Sequence, residues 1–268
     1  MAKKSGFNLW DALVWLARGV FRVLYALAAA VFGIVAFMFF KARERAPGAK
    51  RSKAAYLPLT VQKSTAGDIA EFERRLSSKS TVGLILGARG SGKSALGMRI
   101  LENMAANGRK VCAMGFDESA LPGWIIPVKD VDGIPNGYFV LVDEGGILFS
   151  SRESQSSGNK LLSSLLLVAR HKDVSVLFIS QNSANLEVNS IRQADYLLLR
   201  KPSLLQKDFE RKKIGQIYDG IDFGSLPDGG RYSTYVYSDE FRGFVSNELP
   251  GFWSSKASKS FAQLKLKK

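Results

Sequence analysis

Cysteine and histidine are almost absent from this sequence. The 268 residues include one Cys and one His. A single cysteine excludes an intramolecular disulfide framework, and Cys112 lies in the apolar run 111–114, where we expect a small buried residue. A single histidine, His171, cannot by itself form a metal site or a catalytic triad. The sequence also contains no internal repeat. Because Cys and His are so few, any catalytic or binding chemistry must depend on other residue types.

Basic residues are in excess, but they are unevenly distributed. The chain has 38 Lys and Arg against 24 Asp and Glu, a net charge of +14. Residues 1–80 hold 14 basic and 5 acidic residues (+9), residues 81–200 hold 12 and 11 (+1), and residues 201–268 hold 12 and 8 (+4). Because the middle of the chain is nearly neutral, the high pI reports mainly on the flanks.

A glycine-rich loop follows the apolar run 81–86 and precedes the helical pattern 95–101. It matches G-x-x-x-x-G-K-[ST], in which backbone N–H groups and a helix N-terminus face an anion. Lys93 is expected to reach the β- and γ-phosphates of a nucleotide, and Ser94 to ligate Mg²⁺. The alternative is a Gly/Ser turn that matches by chance. The predicted phosphate-binding residues are Gly87, Ala88, Arg89, Gly90, Ser91, Gly92, Lys93 and Ser94.

A second motif ends the apolar run 138–142 in two acids. A buried parallel strand reads as a continuous apolar run, and its carboxyl end lies where ligands gather in open α/β sheets. Asp143 is therefore predicted to hold Mg²⁺ and Glu144 to activate the attacking water. Alternatively, the two acids simply lead into the Gly145-Gly146 turn. No Asn-Lys-x-Asp guanine signature is present, which favours ATP as the nucleotide.

Residues 23–40, from Val23 to Phe40, are uncharged and mostly apolar. As a helix these residues would extend about 27 Å, close to the thickness of the hydrocarbon layer. The basic stretch 41–53 that follows is typical of a cytoplasmic flank. We therefore predict a single-pass membrane protein that contacts the lipid bilayer, with its nucleotide-binding part on the cytoplasmic side or at a virion membrane. A buried core helix is the alternative.

Residues 8–22 carry charged positions on one helical stripe beside an apolar face. They are predicted either to lie on the membrane surface or to extend the span. Pro, Gly and Ser in residues 46–66 indicate a linker. The predicted domains are thus an anchor (1–45), a linker (46–66), an ATPase domain (67–250) and a basic tail (251–268).

The remaining periodicity predicts an alternating α/β order. Asp68 is expected to cap a short helix, and the helix after the glycine-rich loop is expected to end at Asn107-Gly108. The fold class is a RecA-like α/β P-loop NTPase with a mostly parallel sheet flanked by helices and one extra strand between the two motif strands. The predicted segments are helices 69–76 and 159–172, strands 110–116, 174–180 and 196–200, a hairpin over 232–245, and an irregular stretch over 122–137.

Two further residues are candidates for catalysis. Gln181 ends a strand predicted to lie beside the acidic motif, where it would contact the γ-phosphate and the attacking water; an ordinary turn residue is the alternative. Arg152, Arg170 and Arg192 are candidates for an arginine that acts on a neighbouring subunit's site. Arg170 is chosen among them, although a cation at a helix C-terminus is favoured by the dipole alone.

The order of these motifs resembles the FtsK–HerA group of P-loop ATPases. The resemblance includes residues 87–94, 139–146, 169–174 with 178–181, and 191–195. Within the group, the chain is similar to Zot-like (zonular occludens toxin) assembly ATPases of filamentous phages and to packaging ATPases of membrane-containing viruses. Zot-like proteins carry their span after the ATPase domain, whereas here the predicted span comes first.

The resemblance implies a homo-oligomeric ring, usually a hexamer, that uses ATP and Mg²⁺ to move DNA or to assemble virions with viral structural proteins. Two other hypotheses remain: an ATPase for protein secretion or filament assembly, and a nucleotide-regulated membrane scaffold. The predicted DNA-contacting residues are Lys207, Arg211, Lys212 and Lys213, although such a run is also typical of a solvated helix face.

Overall fold

The fold is a nine-stranded sheet with helices packed on it. This computed structural model describes residue 18 and residues 53–78, 80–145, 156–186 and 188–253. The strands are β1 (Thr60–Gly67), β2 (Val82–Leu86), β3 (Val111–Met114), β4 (Ile125–Val128), β5 (Phe139–Asp143), β6 (Ser175–Ile179), β7 (Tyr196–Arg200), β8 (Thr234–Tyr237) and β9 (Phe241–Ser246). The helices are α1 (Ile69–Ser77), α2 (Lys93–Ala106), α3 (Ser156–Lys172), α4 (Val188–Arg192), α5 (Leu204–Asp208) and α6 (Lys212–Asp219).

The strand order is β1-β9-β8-β7-β2-β6-β5-β3-β4. The six strands from β7 to β4 run parallel to their neighbours, and β1, β9 and β8 form an antiparallel extension. Strand β6 lies between β2 and β5, so the predicted extra strand between the two motif strands is confirmed. This arrangement places the glycine-rich loop and the acids after β5 at the same edge, because the carboxyl ends of parallel strands face one way.

Apolar runs account for the centre of the sheet. Strands β2, β3, β5, β6 and β7 are buried along their whole length, as expected for parallel strands with both faces covered. Helices α1 and α2 pack on one face through residues such as Phe72, Leu96 and Leu101. The predicted cap of α1 is confirmed, since the Asp68 side chain accepts a hydrogen bond from the Ala70 N–H.

One face of α2 is polar and binds the chain segments that precede β1 and follow β9. Arg99 and Glu102 form a buried ion pair with an N–O distance of 3.0 Å, and Asn103 is also buried. The three residues, which we call the polar clamp, bind the main chain of segments 55–57 and 248–251. Buried polar groups of this kind are stable because each has hydrogen-bond partners.

Two strands were missed by the sequence analysis, and one of them corrects the predicted linker. Residues 60–67 are not linker but form β1, which pairs antiparallel with β9. Because β1 belongs to the sheet, the sheet begins before residue 67, where the domain was predicted to start. Strand β1 was missed because it is an exposed edge strand with few apolar residues. Strand β4 was missed because Pro127 lies inside it, and proline is tolerated only at such an edge.

The predicted membrane span at residues 23–40 lies outside the described residues. Among those that are described, no helix has both the length and the apolar character needed to cross a bilayer. The anchor therefore stays a prediction.

Candidate functional site

The glycine-rich loop depends on glycine at three positions. Gly87, Gly90 and Gly92 have φ values of +144°, +77° and +88°, a region that side chains with a Cβ rarely enter. Gly92 immediately precedes α2, and its carbonyl accepts the first hydrogen bond of the helix, from Leu96 N–H. The N–H groups of the first turn of α2 have no partners within the helix, so they are available to an anion.

The end of β7 supports the beginning of this loop. A Cβ added to Gly87 would lie 2.5 Å from the Cβ of Arg200, so only glycine allows the loop and the end of β7 to approach this closely. One residue further on, the Ala88 N–H donates to the Lys201 carbonyl at 3.3 Å. The loop is thus fixed to β7 as well as to its own strand, β2.

Lys93 turns back onto its own loop. Its Nζ donates to the carbonyl oxygens of Gly87 and Ala88 at 2.8 and 3.0 Å. Burial lowers the pKa of Lys93 to about 8; Asp143 opposes this shift and the Arg200 charge adds to it. The ammonium is therefore held at the loop by two carbonyl oxygens, and neither of these hydrogen-bond partners carries a charge. A phosphate would supply a negatively charged partner.

The two motifs predicted from the sequence meet in space. Ser94 Oγ donates to Asp143 Oδ2 at 2.9 Å, which joins the start of α2 to the end of β5 across the intervening strand β6. A hydroxyl and a carboxylate side by side are oxygen ligands of the kind that Mg²⁺ prefers, with phosphate oxygens and water completing its shell. No cluster of three or more His, Cys, Asp or Glu occurs within the described part of the chain. The residues fit a nucleotide-dependent Mg²⁺ site rather than a site made by protein alone.

Glu144 is buried beside this pair and has a dedicated hydrogen-bond donor. Ser180, the residue after β6, donates its hydroxyl to Glu144 Oε2 at 2.5 Å. The pKa of Glu144 is raised, chiefly by burial and also by the Asp143 charge, while the Ser180 hydrogen bond opposes the shift. A carboxylate with a raised pKa in this position can accept a proton from water.

Gln181 and two of the predicted arginines, Arg170 and Arg192, are exposed. Gln181 does follow β6, but it is exposed and its carbonyl accepts from Gln206 Nε2 at 2.6 Å; Ser180 contacts Glu144 in its place. Arg170 is exposed at the end of α3, on the amino side of β6 and away from the glycine-rich loop. It does not belong to the site of its own chain. Arg192 is likewise exposed on the amino side of β7, and Arg152 lies outside the described residues.

Sequence reasoning missed three residues at the site. Arg200 and Asn247 hydrogen-bond to each other next to the loop, and Ser180 orients Glu144. The available signal for Arg200 was a charged residue at the end of the otherwise apolar strand 196–200. Nothing in the sequence marked Asn247, which reaches the site only because β9 and β8 extend the sheet beside β7.

The comparisons with known proteins give distant similarities. No protein-family model matches the sequence, and no curated protein matches it. Among solved structures, the chain is similar to B204, the DNA-packaging ATPase from Sulfolobus Turreted Icosahedral Virus, with 12% identity and a TM-score of 0.47 over 63% of this chain and 98% of that one. It is also similar to the genome packaging NTPase B204 from Sulfolobus turreted icosahedral virus 2 in complex with AMPPCP, with 13% identity and a TM-score of 0.46 over 63% and 99% of the two chains. Similarity this low establishes neither a family nor a function, which must be argued from the site.

Proposed function

We propose that this chain is an ATPase that couples hydrolysis to mechanical work. The observation that supports the ATPase most strongly is the contact between Ser94 and Asp143, with Glu144 buried directly beside it. A phosphate-binding loop alone would suit a binding protein. A Mg²⁺-binding pair together with a buried second acid that can accept a proton from water supports hydrolysis of a phosphoanhydride.

The residues of the chain divide the chemistry between them. The loop N–H groups and Lys93 bind the phosphates, and Lys93 exchanges its two carbonyl partners for phosphate oxygens. Mg²⁺, when bound by Ser94 and Asp143, supplies positive charge that stabilises the transferring phosphoryl group. Glu144 orients a water molecule and takes its proton, while the Ser180 hydroxyl fixes the carboxylate in position.

We further propose roles for the two remaining predicted site residues. Gln181 directly follows Ser180, so a change in its backbone would bring its side chain towards the γ-phosphate. Arg170 would act on the site of a neighbouring subunit in a homo-oligomeric ring. In its own chain it lies at the amino ends of the strands, whereas the glycine-rich loop lies at their carboxyl ends.

The work we propose is DNA translocation, as in genome packaging or virion assembly by a virus or mobile element at a membrane. Its support is the motif order that resembles FtsK–HerA ATPases and the apolar stretch 23–40. Of the predicted DNA contacts, Lys207 pairs with Asp219 at 2.7 Å and Arg211 binds the carbonyls of Ser183 and Leu186. Lys212 and Lys213 are exposed, as is Lys207, but they do not share its ion pair with Asp219.

A second candidate function is assembly of a protein filament or secretion complex. It is favoured by an exposed apolar group around α5: Leu204, Leu205 and Phe209 are 86%, 73% and 69% exposed. Apolar side chains grouped in this way are typical of protein contacts rather than DNA contacts.

Steady-state ATP turnover by the full-length protein in detergent tests the proposal. We expect turnover that duplex or single-stranded DNA stimulates, and we expect Glu144→Gln to lower it about 100-fold or more while ATP binding is retained. Lys212→Ala/Lys213→Ala should reduce the stimulation, whereas Lys63→Ala, on exposed strand β1, should not. DNA-indifferent turnover would favour protein assembly, and tight binding without turnover would favour a scaffold.

The membrane part of the proposal needs a separate measurement. Deletion of residues 1–40 should move the protein from the membrane fraction to the supernatant. If the shortened chain still pellets with membranes, the predicted anchor is wrong.

A further inference from the structure

Strand β7 ends in a buried arginine that lies against the phosphate-binding loop. Arg200 is 4% exposed and is the last residue of β7, which pairs with β2 up to the start of the loop. Its backbone and Cβ approach Gly87, and its Nη2 lies 3.5 Å from the position that a Cβ on Gly92 would occupy. The side chain therefore runs along the loop from its first glycine to its last.

The guanidinium of Arg200 is poorly satisfied for a buried cation. Its Nη2 donates to Asn247 Oδ1 at 3.1 Å, which is a neutral partner. Its Nε is buried and has no hydrogen-bond partner, and no carboxylate of the described residues forms an ion pair with it. Burial lowers the pKa of Arg200 to about 10.

The surroundings make this charge still less favourable without a ligand. Lys93 is close enough for its charge to interact with that of Arg200, and it is itself buried. The N-terminus of α2, which begins beside Gly92, carries the positive end of the helix dipole. The buried Ser91 hydroxyl, in the same loop, also lacks a hydrogen-bond partner among the described residues. Two cations, a helix N-terminus and an unpartnered hydroxyl together form a site that an anion would stabilise.

We propose that Arg200 binds the nucleotide phosphates in the same subunit as Lys93, and that Asn247 is the positioning residue that holds its guanidinium before the nucleotide arrives. The proposal rests on the proposed nucleotide-binding function and names a second cation of that site. It also links the nucleotide to the antiparallel extension of the sheet, since Asn247 immediately follows β9.

The competing explanation is that Arg200 only shapes the loop. The two explanations differ in what they predict for the protein without nucleotide. If Arg200 is structural, its removal lowers the thermal stability of the nucleotide-free protein and leaves affinity largely unchanged. If Arg200 binds an anion, its removal relieves an unfavourable buried charge in the nucleotide-free protein. The variant then shows a lower affinity for nucleotide without a loss of thermal stability.

The experiment compares Arg200→Met with Arg74→Met, which removes the same charge from the exposed face of α1. Binding of a fluorescent ATP analogue and thermal unfolding are measured on the full-length protein in detergent, with and without ATP. For Arg200→Met we expect the affinity to fall about tenfold or more, as for loss of a charge-assisted hydrogen bond to phosphate. We expect its melting temperature without nucleotide to stay unchanged or to rise. Arg74→Met should change neither quantity.

Two further variants keep the proposal falsifiable. Arg200→Lys retains the charge but not the planar fork, so it should bind the analogue with intermediate affinity, and it decides the question if Arg200→Met does not fold. Asn247→Ala should weaken binding less than Arg200→Met does. Unchanged affinity in Arg200→Met, with or without a lowered melting temperature, would overturn the proposal; if that variant does not fold, unchanged affinity in Arg200→Lys would do so. Failure of the wild type to bind the analogue would instead overturn the nucleotide site itself.

Discussion

Two arginines are buried at helix α2, but their hydrogen bonds differ. In the middle of the helix, Arg99 of the polar clamp pairs with Glu102 at 3.0 Å and donates to the carbonyl oxygens of Ala55, Glu248 and Leu249. At the phosphate end, Arg200 has one neutral partner, Asn247, and an Nε with none.

This difference separates structure from ligand binding. A buried charge that has all its partners within the fold holds chain segments together and needs nothing else. A buried charge left short of partners raises the free energy of the protein until a ligand supplies them. Burial alone would rank Arg99 and Arg200 as equals; only their hydrogen bonds distinguish them.

The largest expected effect on stability comes from breaking the ion pair between Arg99 and Glu102. Arg99→Met leaves Glu102 buried without its cation and should lower the free energy of unfolding by about 3–5 kcal/mol. Chemical denaturation monitored by circular dichroism measures this loss. The double variant Arg99→Met/Glu102→Leu should recover much of it, because no lone charge remains. If the single variant were as stable as the wild type, the clamp would not be a stabilising feature.

At the phosphate-binding loop, removal of a cation should instead raise the free energy of unfolding. Without nucleotide or metal, Lys93→Met should be more stable than the wild type at pH 7, by about 3 kcal/mol for a pKa lowered from 10.5 to about 8. Below pH 8 both the folded and the unfolded wild type carry the proton, so the penalty is complete. Between pH 8 and 10.5 only the unfolded chain keeps it, so the advantage of the variant should shrink as the pH rises. A difference that does not depend on pH in this range would contradict the assignment.

The smallest effect expected is at the neutral member of the clamp. Asn103 accepts from the Leu57 N–H at 3.0 Å and donates to the Leu57 carbonyl at 2.7 Å. Asn103→Ala leaves both backbone groups short of a partner and should cost about 1–3 kcal/mol. Hydrogen exchange at Leu57 provides a local readout, since its amide should lose protection in the variant. Unchanged protection would show that segment 55–57 is held by other contacts.

The sequence predicted those features that depend on short stretches of chain. The glycine-rich loop, the acids after β5 and the extra strand β6 each follow from a run of neighbouring residues with a recognised pattern. Their meeting at Ser94 and Asp143 follows from the geometry of parallel sheets. The sequence therefore predicted that the two motifs lie close together, and the contact between Ser94 and Asp143 confirms this.

What could not be predicted depends on contacts between distant segments. Strand β1 carries no apolar alternation and exists because β9 supplies a partner edge. Arg200 and Asn247 are 47 residues apart, and Ser180 meets Glu144 across 36. The sequence pattern pointed to Gln181, whereas the residue that contacts Glu144 is Ser180, one position earlier in the turn after β6.

The polar clamp also determines where this protein can be shortened. A chain trimmed to residues 67–250, as the composition alone would suggest, loses the main-chain groups at 55–57 and the Gly251 N–H that bind Glu102 and Asn103. Removal of β1 also exposes the edge of β9, and an exposed strand edge promotes aggregation because it can pair with another chain. Soluble fragments intended for crystallisation should therefore begin before Ala55 and extend past Trp253.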